Sequence, residues 1–347
     1  MKIILLAGLL LFSTAFAQEQ TDNSSAKSGN SIKVNGYIKN WFEANTSTGD
    51  KDFLVRMARL GVKGNINMYA GYKVMVDFTR LGKLQTSTTT IEGKNVVSSA
   101  SASFSDYLLD AEAFINPVKS LSLSLGQFKV PFSSDNLKSG ADIDFINRPL
   151  TTNTAPALRD IGFMVSYVPA VEIPMEIKGG VFNGAGQNKP ENDKNLNYSL
   201  RGVVHPVKNL GLSANYYTGK SAGANTNMFN LGADFSFEKV YVSGEYGQKI
   251  NKLSAKDVTS NALFVYSLYD FDFQKSMISH LIPALRYEHY KPDNSTSKDE
   301  VNKITAGLSF EFAKLTYAQF RVNYEILKYE NGSANLQKLI LELQIRY

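Results

Sequence analysis

Cysteine is absent from the 347 residues, tryptophan occurs once and histidine three times. Lacking cysteine, the chain has no disulfide framework, no thiolate metal site and no cysteine nucleophile, so in an oxidising compartment it must rely on a large core or a closed hydrogen-bonded sheet. His205, His280 and His289 are scattered and none sits in a pattern with a nucleophilic serine. Neither a spaced metal-ligand set nor a catalytic residue is therefore expected. The acidic pairs Asp142 with Asp144 and Asp270 with Asp272 read as solvated loops, and Gly179 to Gly186 (GGVFNGAG), with no helix following, as a strand entering a loop. No cofactor is implied. Charge of one sign is also scarce: 37 basic against 32 acidic residues give +5, with no basic stripe, which argues against nucleic acid.

Long hydrophobic runs are missing too, apart from Ile3 to Phe12, which is too short to span a bilayer. With Lys2 before it and Ala15-Phe16-Ala17 after it, residues 1–17 read as a signal peptide, whose removal lowers the net charge to 36 − 32 = +4. Residues 18–31 (QEQTDNSSAKSGNS) are polar and aperiodic and read as a flexible lead-in. The lack of apolar runs excludes transmembrane helices but not a transmembrane barrel, whose strands are apolar on alternate residues only.

Alternation is what the remaining chain shows. Ile32, Val34, Gly36 and Ile38 face one way, with Lys33, Asn35, Tyr37 and Lys39 the other, and the same period returns from Arg56 to Asn67 and onward to Leu336 to Tyr347. About sixteen strands are predicted over residues 32–347, an even number as a bacterial barrel requires, with 18 tyrosines and 21 phenylalanines available for interfacial girdles. Connections alternate in length. Asn67 to Ala70, Asn116 to Lys119, Pro169 to Pro174, His205 to Asn209, Phe237 to Lys239 and Ala313 to Leu315 are short; Leu81 to Ser103, Gly184 to Asn195, Thr218 to Thr226, Lys249 to Thr259 and Lys291 to Asp299 are longer and polar. Tyr269 to Ile278 breaks the rule, being long on the short side. The prediction is an all-β transmembrane antiparallel barrel in the bacterial outer membrane, with short periplasmic turns, long extracellular loops and both termini periplasmic.

The longest connection, at about 128–158, is the third extracellular one. Its segment GQFKVPFSSDNLKSGADIDFINRPL, followed by Pro156 and Arg159-Asp160-Ile161-Gly162, resembles the hallmark of the phosphate-selective porin O and P family. Phe53 to Gly64 (FLVRMARLGVKG) is similar to the family's Arg-rich second strand, and the terminal Tyr347 to the aromatic end of outer-membrane barrels. The resemblance implies a sixteen-stranded porin, often a homotrimer, whose third loop lines the constriction and whose lumenal cations conduct anions in phosphate-specific members. Pore candidates are then Lys129, Lys138, Arg148 and Arg159, with Asp135, Asp142, Asp144 and Asp160 in the same stretch. Lumen-facing basic candidates are Arg56, Arg59, Lys63, Lys73, Arg201, Arg286 and Arg321. Strand parity sends about as many acids inward as bases, so pairing and hydration of the wall compete with an anion ladder.

Two functions stay open on these residues. One is a passive porin for small hydrophilic solutes, possible anions included, embedded in outer-membrane lipid. The other is a non-conducting barrel with a plugged lumen that acts as a structural, adhesion or accessory partner protein, for which inward Tyr37, Tyr241 and Tyr290 leave room. A soluble β-sandwich fits poorly, because nearly every strand, including the last, carries an apolar face.

Overall fold

The computed structural model describes residues 31–80, 85–91, 94–100, 107–190, 194–221, 223–254, 256–273, 277–296, 299–312 and 318–347. The expected signal peptide, the lead-in up to residue 30 and the turn expected at Ala313 to Leu315 lie outside these residues. Period-two alternation becomes sixteen long antiparallel strands: β1 Ser31–Asn45, β2 Lys51–Asn65, β3 Ala70–Asp77, β4 Leu108–Val118, β5 Leu121–Lys129, β6 Arg159–Tyr167, β7 Met175–Phe182 and β8 Asn197–Val207. The second half comprises β9 Leu210–Ser221, β10 Ala224–Phe237, β11 Val240–Lys252, β12 Val258–Tyr269, β13 Ile278–Lys291, β14 Val301–Phe312, β15 Ala318–Tyr329 and β16 Leu336–Arg346. Each pairs with its chain neighbours, and β1 pairs with both β2 and β16, which closes the sheet. The seam is locked at its end by reciprocal backbone bonds between Gly36 and Tyr347, 3.2 and 3.0 Å. Closure leaves no open edge, which the bilayer demands of any sheet that crosses it.

One face of each strand carries exposed apolar side chains, among them Leu125, Leu200, Leu231, Val265, Leu285, Ile304 and Leu343. The other face is polar and buried, with Lys39, Arg201, Glu245, Arg286, Glu288, Arg321, Glu325 and Glu342 all below a tenth exposed. A soluble protein has the opposite arrangement; here lipid takes the apolar side.

Tight turns arise from local chemistry. Asn67 Oδ1 accepts from the backbone N–H groups of Tyr69 and Ala70, both at 2.8 Å, which folds the chain back between β2 and β3. At Tyr269 to Ile278 the long connection is partly strand, since Phe271–Asp272 pairs with Leu281 and His280 of β13. Two expected long loops are shorter than the sequence suggested. β9 and β10 pair up to Ser221 opposite Ala224, and β11 continues to Lys252, because polar residues there extend the ladder above the apolar belt. Within Leu81 to Ser103, the strands Gln85–Ile91 and Lys94–Ala100 form a separate hairpin that alternation did not reveal.

Candidate functional site

Within β5, Gly126 has φ 126° and a Cβ there would run into the Ala111 carbonyl, so only glycine suits this position of the strand that leads into the third loop. From Val130 the third loop enters the barrel, and most of its residues to Thr154 are buried or half-buried. Three apolar clusters seat it: Phe128, Val130 and Phe132 with Phe182, Tyr217 and Met228; Ile146 with Trp41 and Ile340; and Phe145 with Phe264 and Tyr266.

Polar tethers complete the seating. Glu245 of β11 accepts from the Ser133 hydroxyl at 2.6 Å and from the Asp135 N–H at 2.8 Å, so its carboxylate holds the start of the single helical turn Ser134–Leu137. Ser133, the cap of that turn, has φ 64°, a left-handed conformation that the pair of bonds sustains. Further along, Arg321 donates to the Ile143 carbonyl at 2.5 Å, Arg286 to the Asn147 carbonyl at 3.0 Å, and Gln344 to the Ala141 carbonyl at 3.1 Å. Glu288 accepts from the Leu150 N–H at 2.6 Å and Glu325 from the Asn147 amide at 3.0 Å. The wall from β8 to β16 thus grips the loop, Ser199 and Arg201 contributing through Pro131 and Ser134. Wall anchors such as Ser199, Tyr266 and Gln344 carried no sequence signal beyond inward parity, and Ser133, on the loop, had no strand parity to read.

Charged side chains gather both on the wall of β2 to β6 and on the loop, whose Gly140 packs against Tyr37 of β1 and Arg59 of β2. On the wall, Arg59 binds Asp77 at 2.8 Å and the Tyr37 hydroxyl at 2.7 Å. Asp110 takes Arg159 at 2.6 Å and Lys73 at 3.5 Å. On the loop, Lys138 binds Asp144 at 2.5 Å, lies near the rings of Tyr241 and Tyr266, and bonds the Tyr266 hydroxyl at 2.9 Å. Burial lowers the Lys138 ammonium, but Asp144, Tyr241 and Asp135 together outweigh it and hold the group above its usual range. Arg148 reaches the Asp135 carboxylate at 3.3 Å and the Lys138 carbonyl at 2.6 Å; burial pushes its guanidinium below the usual range against the pull of Asp135, and the Arg159 cation adds to the lowering. Lys129 bridges from β5 to the carbonyls of Leu137 and Lys138, at 2.7 and 2.8 Å.

The predicted pore residues therefore separate into groups. Lys138, Arg148, Asp135 and Asp144 lie together on the loop beside Lys129 of β5 and Arg159 of β6, while Asp142 pairs with Arg346 of β16. Asp160 is buried and accepts from the Gly184 N–H at 2.7 Å, which ties the start of β6 to the next extracellular loop. Among the basic wall candidates, Arg286 pairs with Glu288 at 2.8 Å and Arg321 with Glu342 at 2.8 Å, whereas Arg201 meets Asn215 at 2.7 Å. Arg56 has the wrong parity for the lumen, yet a register shift at Lys39/Asn40 turns it inward, where its guanidinium lies 5.0 Å from the Trp41 ring. Lys63, opposite Lys33 and Lys73 in register, is exposed toward the periplasmic end. The described residues hold no cluster of three metal-ligating side chains.

A profile of the family described as phosphate-selective porin O and P matches residues 32–241. Solved structures similar to the chain include an anion-selective porin from Comamonas acidovorans, at 12% identity and TM-score 0.64 over 92% of this chain and 100% of that one. The outer membrane channel DcaP of Acinetobacter baumannii aligns at 12% identity and TM-score 0.60, covering 93% and 99%. The trimer form of the outer membrane protein OmpT of Vibrio cholerae aligns at 11% identity and TM-score 0.59, covering 92% and 100%. Among curated protein sequences nothing matches.

Proposed function

Because the chain belongs to the phosphate-selective porin O and P family, we propose that it is an outer-membrane porin through which small hydrophilic solutes diffuse, with a mild preference for anions. The observation that carries this reading is the charge set around the in-folded loop: Arg59, Lys73, Lys129, Lys138, Arg148 and Arg159 against Asp77, Asp110, Asp135 and Asp144. Selectivity depends on the charge at a constriction, and here the cations outnumber the carboxylates by two. Most arginines have a carboxylate in direct contact, so each presents a partly neutralised field to a passing ion. That arrangement supports an eyelet that filters by size and biases by charge rather than a bare phosphate ladder. The loop, pinned to half the wall, would fix the aperture. The similarity to an anion-selective porin agrees in direction.

Planar-bilayer recording of the refolded protein under a salt gradient tests this. Discrete steps with an anion-biased reversal potential are expected, and addition of phosphate should reduce current no more than an equal ionic strength of chloride does. Steps with a cation bias would refute the charge reading; silence from a folded barrel would refute the channel and leave a partner-binding barrel.

A further inference from the structure

The third loop turns back on itself at Ser139 to Asp142, where the Asp142 N–H reaches the Ser139 carbonyl at 3.0 Å and the Ala141 N–H reaches the Ser139 hydroxyl at 3.3 Å. The second residue of this turn, Gly140, is pressed against the wall. A Cβ there would stand 2.4 Å from Tyr37 Oη, 3.0 Å from Arg59 Nη1 and 3.3 Å from Met57 Sδ, whereas unstrained contact needs about 3.5 Å. Tyr37 cannot retreat: it is 2% exposed, its hydroxyl takes Arg59 at 2.7 Å, and its ring lies under the guanidinium at 5.6 Å. Arg59 is fastened in turn to Asp77 at 2.8 Å. The backbone of Gly140 lies outside the left-handed region, so its conformation does not call for glycine. Close approach to the wall is what calls for it.

Behind this contact lies the wall of β15, β16 and β1. The Ala141 carbonyl accepts from Gln344 at 3.1 Å and the Ile143 carbonyl from Arg321 at 2.5 Å, which lays the loop over Lys39, the residue opposite Gln344 in register. Lys39, Gln344 and Glu342 have no exposed surface. Lys39 Nζ lies 3.6 Å from Glu342 Oε1, but the Glu342 oxygens already take Arg321 and the Trp41 indole. Neither Lys39 Nζ nor Gln344 Oε1 has a hydrogen-bond partner among the described residues. Unpaired polar atoms held away from water cost free energy that hydration would recover, so this stretch of wall stays dry only while the loop covers it. On the exposed side of the loop, Lys138 and Asp144 each keep about a quarter of their side-chain surface open.

We propose that Gly140, a residue without charge or side chain, determines both the size and the charge selectivity of the pore. Its contact with Tyr37 and Arg59 seals the loop tip to the wall, so solutes pass only on the side of Lys138 and Arg148, and the charges behind the seal take no part. The proposal rests on the porin reading above. A side chain at position 140 levers the tip off Tyr37, stretches the bond between Gln344 and the Ala141 carbonyl, and admits water and anions to Lys39. The passage so opened carries Lys39 and Arg321 against the single carboxylate of Glu342. Widening the pore at this point therefore strengthens its anion bias, where widening by loss of a basic residue would weaken it.

The test compares the native barrel with Gly140→Val, Gly140→Ala and Tyr37→Phe/Gly140→Ala, each verified as folded by heat-modified gel mobility. Planar-bilayer recording under a salt gradient reads conductance and reversal potential, and mass spectrometry reads acetylation of Lys39 by sulfo-N-hydroxysuccinimide acetate, a water-soluble amine reagent. Gly140→Val is expected to give larger steps, a reversal potential further to the anion side and several-fold more Lys39 acetylation than the native barrel, with Gly140→Ala intermediate. Tyr37→Phe/Gly140→Ala should return all three toward native values, because removing the Tyr37 hydroxyl makes room for the methyl group. Native conductance and native Lys39 acetylation in a folded Gly140→Val barrel overturn the proposal, as does a double variant that stays as open as Gly140→Ala. Acetylation needs no current: a silent native barrel in which Gly140→Val still unmasks Lys39 refutes the porin reading and upholds the seal.

Discussion

Glu245→Ala should loosen the third loop without harming the barrel. The carboxylate accepts three hydrogen bonds, from Ser133 at 2.6 Å, the Asp135 N–H at 2.8 Å and Asn230 at 2.9 Å, in a position 4% exposed. A hydrogen bond to a charged group contributes about 1.5–3 kcal/mol, but only the two from Ser133 and Asp135 cross from wall to loop, so removing them costs the seated loop about 3–6 kcal/mol before water recovers part. Taking about 4 kcal/mol, local opening of residues 131–138 becomes roughly a thousandfold more frequent. Barrel strands are untouched, and the tethers from Arg286, Glu288, Arg321 and Gln344 still hold the returning arm. The expected result is a barrel that refolds normally but shows noisier, larger single-channel currents and is cut by trypsin after Lys138, which the seated loop shields. Native-like noise and protease resistance in a folded Glu245→Ala barrel would refute the account of Glu245 as the hold on this arm.

Gly126→Ala should prevent efficient refolding, since φ 126° is strained for alanine and the new methyl meets the backbone of Ala111; the fraction of heat-modifiable barrel on gels measures this. Leu125→Arg, at a lipid-facing position 64% exposed, should destabilise the barrel by about 2–4 kcal/mol in denaturant titrations from lipid vesicles. Because Asp144, Tyr241 and Asp135 outweigh burial and hold Lys138 above its usual range, Lys138 gives up its proton only as pH rises past the ordinary lysine range, so the stability and charge it supplies are fully present below that. Reversal potential should accordingly stay constant between about pH 7 and 9, and a drift toward cation preference there would contradict the pairing.

Strand period, tight periplasmic turns and the aromatic supply were legible in the sequence because each depends on residues a few positions apart. Ile38 outward and Lys39 inward follow from alternation alone, as does Tyr246 outward beside Glu245 inward. Parity also sorted Arg59, Asp77, Asp110 and Arg321 onto one face, but it could not say which acid met which base. Arg159 finds Asp110 and Arg321 finds Glu342 because of strand register and the path of the loop, which bring together residues 49 and 21 positions apart. A bulge turned Arg56 inward against its parity, and Asp160 went to hold Gly184 rather than to the group around Lys138. Local periodicity determines that this chain makes a barrel and which side of each strand faces lipid. Only tertiary structure decides what the inward charges do, because the lumen brings every strand and the third loop into one shared space where each charge takes the partner that closure places beside it.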